Sequence, residues 1–471
     1  MKKKIFSVFS LLFLCGCELF DPTQDAVNPN LTLDAVLGTP SPMRGWINGL
    51  ERQNAIVYNN HVTLMEIGSD NYVNTRTFYN QQFDRLNILF QDANVNGVQF
   101  SIADLRQSAV TGLTVVQAAD PSTTPEQVAE LYFFKGWAEL LAGELFVVLP
   151  NTPGGVPFTA EQNLQAAVQD FTEAETRVPT SASYKLALAR AYYRLGDEVN
   201  AGLKATEALA LDNDFLRSAQ YDQPNGLTST IQDALFDRGN FDDLQPLPRL
   251  DFLDPKHYGR SATVESPTYF QKAEEAHLIL AEIALSNNNV VQAQTHMKNC
   301  LGLVQTRPVD SFSDAVENRI QATPGSRPDR NTVVVRASAA DPFRTGLVLT
   351  RNAGNVSIPV VSGTSLTAAQ IDALATADAV LESLYLMRQE IFMAEGRRFT
   401  DLGLRLPLSE NELLTNPNVT QAMTIAKIPT FVPTDMDAIE YDRTAGECTI
   451  KTNMNKVLVA NKTSADVLPF H

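Results

Sequence analysis

Small and apolar residues return every third or fourth position through three separate stretches of this chain, the period of a helix with one buried face. From Ser183 to Leu211, SYKLALARAYYRLGDEVNAGLKATEALAL reads as two amphipathic helices with Gly196 and Asp197 at the turn. In the second of them Ala201, Ala205 and Ala208 stand at offsets of zero, four and seven. Ala293, Met297 and Cys300 repeat those offsets after EEAHLILAEIALS, and Ala167, Phe171 and Ala174 repeat them after VAELYFFKGWAELLAGELF and a longer loop. Ala189 to Ala201 and Ala281 to Ala293 are both 12 residues apart, so the two tighter copies share their helix-to-helix register. The pattern predicts helix pairs over about 127–176, 183–211 and 272–305, with a further helix over about 372–400.

The three pairs resemble tetratricopeptide repeats, whose small residues let neighbouring helices approach closely. They are separated by insertions, so the expected fold is mainly α: an interrupted tetratricopeptide-repeat scaffold with large loop-rich excursions containing small β elements. Residues 306–370 are rich in Pro, Ser, Thr, Arg and Asn, with β-prone pieces at Thr332–Arg336 and Gly346–Thr350. A second lobe, 212–260, is more aromatic and acidic. Insertions of this size in a compact protein tend to carry function.

The last helical stripe is chemically unlike the others. In LESLYLMRQEIFMAEGRRFTDLGLR, 381–405, the apolar residues Leu381, Leu384, Tyr385, Ile391, Phe392 and Phe399 share a face with Arg388 and Glu395. A charge on a buried face needs a partner. Glu395 and Arg398 are three apart and can pair locally, and Gly396 permits a close neighbour. Arg388, Glu395 and Arg398 are therefore read as a structural polar network joining helix to lobe rather than as catalytic groups.

Ahead of all this lies a leader. Lys2, Lys3 and Lys4 precede an apolar run, Ile5–Leu14, of ten residues, which is far short of the roughly 20 a membrane-spanning helix needs. Gly16 supplies the small residue that a lipoprotein signal peptidase wants before its cysteine, where Leu14 before Cys15 does not. Residues 1–16 are expected to leave, Cys17 to be lipidated, and 17–30 to serve as an acidic linker. Two or three acyl chains would hold the protein on a membrane stably.

The chain carries 37 basic and 54 acidic residues, a net charge of −17; without the leader's three lysines the figure is −20. That surface repels nucleic acid. Beyond Cys15 and Cys17 only Cys300 and Cys448 remain. They are too few for a disulfide framework and wrongly spaced for zinc, and the spacing leaves both a bridge and two free thiols open. Cys300, on the repeat face, is expected to be a buried, unreactive side chain.

No GxSxG, HExxH or glycine-rich phosphate loop occurs. The five histidines are scattered, although His277 and His296 could approach across a helix pair. No cofactor and no metal is called for. Sites for small polar ligands combine flat aromatic faces with polar side chains that hydrogen-bond. Both tryptophans, Trp46 and Trp137, fall in helical stretches, which leaves SDNYVNTRTFYN, 69–80, as the best aromatic and polar cluster. Its Asn71, Tyr72, Arg76, Phe78 and Tyr79 are the candidate ligand residues; Tyr221, Asp222 and Tyr258 form a weaker group.

The lipobox with its acidic linker, the interrupted helix pairs, AEGRRFTDLGLR, PRLDFLDPKHY at 248–258 and PLSENELLTNPNVTQ at 407–421 together resemble the SusD/RagB family of nutrient-binding outer-membrane lipoproteins. The resemblance runs from Cys17 to about residue 425; the remainder departs from the short ending the family would suggest. It implies a single domain over 31–471, on the cell exterior, anchored by lipid to the outer membrane. It implies capture of an oligosaccharide or peptide and service as a lid for a SusC-like TonB-dependent transporter, without enzymatic activity. Two other classes remain open: a tetratricopeptide adaptor that binds only proteins, and a surface glycoside hydrolase using paired carboxylates.

Overall fold

A computed structural model describes residues 33–74, 81–237, 244–259, 264–313, 326–350, 354–467 and 470. Cys17, its linker and the leader lie outside the described residues. Nine longer helices organise the described chain: α1 Pro42–Ile67, α2 Ala93–Thr111, α3 Pro125–Leu145, α4 Ala160–Arg177, α5 Ala182–Leu195, α6 Glu198–Leu211, α7 Ala273–Ser286, α8 Val290–Thr306 and α9 Ala377–Ile391. Local chemistry sets their ends. Thr124 and Thr159 cap α3 and α4 through reciprocal bonds with Gln127 and Gln162. Gly196 closes α5 at φ 75°, and Asp197 opens α6 by accepting from the Asn200 N–H.

The pairs α3–α4, α5–α6 and α7–α8 each pack as antiparallel neighbours, and every residue of the three small-residue sets is buried. Ala167, Phe171, Ala174, Ala201, Ala205, Ala293, Met297 and Cys300 have no exposed surface at all. The stack is also continuous in space. Helix α4 packs on α5, and α6 packs on α7 across the long intervening insertion.

Two-stranded ladders at the necks of the excursions explain how the stack survives interruption. Strands β1 Tyr72–Asn74 and β5 Leu244–Pro246 pair with each other; β2 Val148–Pro150 and β3 Pro157–Thr159 close the loop between α3 and α4. Strand β4 Leu216–Ala219 pairs with β6 Thr268–Lys272, so the chain leaves the stack after α6 and returns to α7 at one point. Strand β7 Val309–Ser313 pairs likewise with β9 Asn355–Pro359. A loop whose ends are held together can be lengthened at little further entropic cost. Insertion therefore need not disturb helix register.

The expected helix over 372–400 is broken. Helix α9 stops at Ile391, Ala394 and Gly396 take φ of 58° and 73°, and a four-residue helix, Arg398–Asp401, follows. Glu395 and Arg398 do not pair locally across this turn. In the 306–370 lobe β8 Val334–Arg336 forms, whereas Gly346–Thr350 buries Leu347 and Val348 without joining a ladder. The unfamiliar ending has a role: β10 Ile439–Asp442 and β11 Glu447–Ile450 form a hairpin, β11 runs parallel to β8, and the helix Met454–Ala460 packs on α9.

Candidate functional site

The turn after α9 carries a buried polar hub. Glu395 accepts from Lys272 Nζ at 2.8 Å and from Lys256 of the 248–258 segment. Arg397 pairs with Glu275 of α7, and Arg398 grips Asp70 with Nε and Nη2 at 2.5 and 3.0 Å. Asp401 accepts from Arg388 Nε at 2.7 Å and from Arg194 of α5 at 2.9 Å. Burial would raise Asp401, but those guanidiniums overrule it and hold the carboxyl at about 2. Arg388, Glu395 and Arg398 thus tie α9 to Asp401, the neck strand β6 and the end of α1. Glu395 is 3 % exposed and already receives two ammonium groups, an arrangement that ties elements together and offers no surface to a substrate. Gly396 is required here: its N–H donates to Glu66 at 2.8 Å, and a Cβ would sit 3.1 Å from the His61 ring.

The start of the expected ligand loop goes into this same interior. Asn71 and Tyr72 are fully buried, which corrects their assignment to ligand contact. Asn71 donates to Glu66 at 2.8 Å and accepts from Gln389 at 2.9 Å. Pairing of β1 with β5 gives Tyr72 and Asn74 the inward positions of a two-residue alternation. Arg76, Phe78 and Tyr79 lie outside the described residues. Tyr221 and Tyr258 are buried as well: the first bonds Thr268 at 2.9 Å, and the second stacks on Phe312 at 3.9 Å and donates to Asp310. Asp222 lines an open cleft of about 470 Å³ with Glu51, Arg52 and Arg217.

What the structure brings together instead is a polar cluster beside the β1–β5 ladder. Asn74 is the register partner of Leu244, and Arg327 donates to the carbonyl of Pro246 at 2.7 Å. Asp84 accepts from the Asn74 N–H at 3.2 Å. Asn74, Leu244 and Pro246 of the β1–β5 ladder therefore lie beside Asp84 and Arg327, and the charge of Asp437 acts on the same group. Burial, and then the charge of Asp437, raises Asp84 to about 7; burial also raises Asp437, with Arg327 opposing. Two carboxyls and a guanidinium, partly withdrawn from water, can accept from and donate to hydroxyl or amide groups. Sequence reasoning missed all three residues, because they stand singly in segments with no periodicity.

The other chemistry-bearing residues are placed more plainly. Trp137 is buried and stacks on Phe133 at 5.5 Å; Trp46 donates from its indole to the Ser108 carbonyl at 2.9 Å. His277 and His296 approach to 6.4 Å across α7 and α8, and burial lowers both. Among the described residues no cluster of three or more metal-ligating side chains occurs. Cys300 and Cys448 are free thiols; burial pushes Cys448 up to about 12 and Cys300 well above its usual range.

No protein-family model matches this chain, and no curated protein does. Solved structures do. A SusD superfamily protein from Bacteroides fragilis is 14 % identical and matches over 82 % of this chain and all of its own, with a TM-score of 0.52. One from Parabacteroides distasonis is 10 % identical, over 80 % of this chain and 98 % of its own, at 0.52. A SusD-like protein from Bacteroides fragilis NCTC 9343, 11 % identical, matches over 80 % and 88 % at 0.52. At such identities helix order and placement are what is held in common, and by that measure this chain carries the SusD-like fold.

Proposed function

We propose that this protein is a surface-exposed lipoprotein that captures an oligosaccharide or peptide and serves as the lid of a SusC-like TonB-dependent outer-membrane transporter. The observation that carries the reading is the polar cluster of Asp84, Arg327 and Asp437 beside the β1–β5 ladder, on a scaffold whose fold is shared with SusD superfamily proteins. Asp84, Arg327 and Asp437 would fix polar groups of the ligand there. The leader and Cys17 support a lipid tether, and a linker of a dozen or so residues would keep lid and barrel on one membrane, where their effective concentration is high. The hub suits this role: it stiffens the body that must hinge as a unit. Binding rather than catalysis is favoured, since the carboxylates of the hub are engaged by cations and withdrawn from solvent.

The test is a screen of the purified full-length chain in detergent against neutral glycans and short peptides, with co-purification of a transporter barrel from the native membrane. Saturable capture of one ligand class and recovery of a barrel are expected. Shortening of the ligand during the assay would move the protein to the hydrolases. Recovery of protein partners with no ligand binding would make it an adaptor.

A further inference from the structure

Another cleft, whose lining includes none of Asp84, Arg327 and Asp437, has the opposite electrostatic character from the protein as a whole. It measures about 380 Å³, at the small end of ligand pockets. Its walls are the C-terminal ends of α3 and α5, the segment 400–405, and residues 462–467. Four cations line it, Arg194, Arg405, Lys427 and Lys462, against two carboxylates, Glu144 and Asp466, in a chain of net charge −17.

The cations are unequally committed. Arg194 is spent on Glu144 and Asp401, each at 2.9 Å, and Glu144 is also clamped by Arg190. Lys427 pairs with Asp466 and Lys462 with Asp378, but both lysines are more than a third exposed. Such surface pairs are worth little and can be exchanged for another anion. Arg405 is different. Its hydrogen bonds run from Nη1 to the carbonyls of Gly143 and Phe146, the latter at 3.4 Å, and no carboxylate of the described residues lies within ion-pair distance. A guanidinium has five N–H donors, so most of its capacity is unused. The wall opposite is held close: a Cβ on Gly403 would sit 2.2 Å from the Asp466 carbonyl.

We infer that this cleft binds the carboxylate of an acidic ligand, with Arg405 as its principal partner and Lys427 and Lys462 as its electrostatic rim. A planar carboxylate matches the fork of a guanidinium and makes charge-assisted bonds that a neutral hydroxyl does not. Ser464 and Thr463 add hydroxyls at the same wall. Two sources share this chemistry, a uronic acid residue of a glycan and the carboxyl terminus of a peptide. The cleft shares no lining residue with the cluster of Asp84, Arg327 and Asp437 and does not depend on ligand capture there.

Titration calorimetry on the full-length chain tests it, using trigalacturonic acid, its methyl ester, and a short peptide with free or amidated carboxyl end. One free acid is expected to bind saturably, at least tenfold more tightly than its ester or amide, and more weakly as salt rises. Arg405→Gln should reduce that affinity at least tenfold. The double variant Lys427→Gln/Lys462→Gln, which alters only exposed side chains, should reduce it about threefold and decides the matter if Arg405→Gln fails to fold. The uronate and peptide arms identify the source. Equal binding of acid and neutral derivative, no binding of either acid, or unchanged affinity in a folded Arg405→Gln or in the double variant overturns the proposal. Capture of a neutral glycan should be the same in all of these proteins, so the result stands apart from that of the Asp84, Arg327 and Asp437 cluster.

Discussion

Replacing Arg398 by Met should cost this protein about 3–5 kcal/mol of stability. The two-pronged contact with Asp70, at 2.5 and 3.0 Å, joins residues 328 apart in sequence, and both side chains are 2 % exposed. Without it, Asp70 keeps one side-chain donor, Gln389 Nε2 at 3.0 Å. A buried carboxylate with a single neutral donor is the costly species, and the loss is a large fraction of the roughly 5–15 kcal/mol that a folded domain commonly has. Asp70→Asn should cost a similar amount by stranding the guanidinium. Since each single change already breaks the pair, Asp70→Asn with Arg398→Met should lose at least 2 kcal/mol less than the sum of the two. Urea unfolding followed by the fluorescence of buried Trp137 measures all of these quantities. A loss under about 1 kcal/mol for the Met variant, or an additive double change, would show that the hub contributes geometry without coupling and refute the reasoning.

Three further outcomes are expected. Burial raises Glu66 to about 7 although Asn71 and Gly396 donate to it, so the folded state retains a proton that the unfolded chain releases near 4.5. That contribution is full below about pH 4.5 and lost as pH rises to about 7; Glu66→Gln should flatten the fall in urea midpoint between pH 5 and 8, and an unchanged slope would sink the assignment. Ala205→Leu should destabilise by about 1–3 kcal/mol, because Ala205 is wholly buried where α6 meets its neighbours; an unaltered melting temperature would deny the close packing. In the polar cluster, Asp84→Ala and Arg327→Ala should each weaken ligand capture at least tenfold, about 1.4 kcal/mol, while far-ultraviolet dichroism stays the same, and equal affinity would move the site elsewhere.

Helix pairing was legible because its signal is local and repeated. Ala201, Ala205 and Ala208 could be assigned to a buried face from spacing alone, and Ala293, Met297 and Cys300 confirmed the rule within the same chain. The polar hub was legible only as a need. Arg388, Glu395 and Arg398 on an apolar stripe demanded partners, but nothing near them in the chain named Asp401, Lys272 or Asp70. Glu395 and Arg398 were expected to satisfy each other because three-residue spacing pairs side chains on a helix, and the helix had already ended at Ile391. Tyr72 looked like a ligand residue because aromatic and polar residues mix there; whether it faces inward depends on a ladder with β5, more than 170 residues away.

The amino-acid sequence by itself therefore determined the mainly helical class, the three repeated pairs and the interruptions between them, since a period of 3.6 and a capping residue act within one turn of chain. Which charges meet, which face of a short strand points inward, and how Asp84, Arg327 and Asp437 come together were decided by the tertiary structure. Those outcomes depend on ion pairs and strand ladders between residues tens to hundreds of positions apart, and such contacts leave no period in the chain.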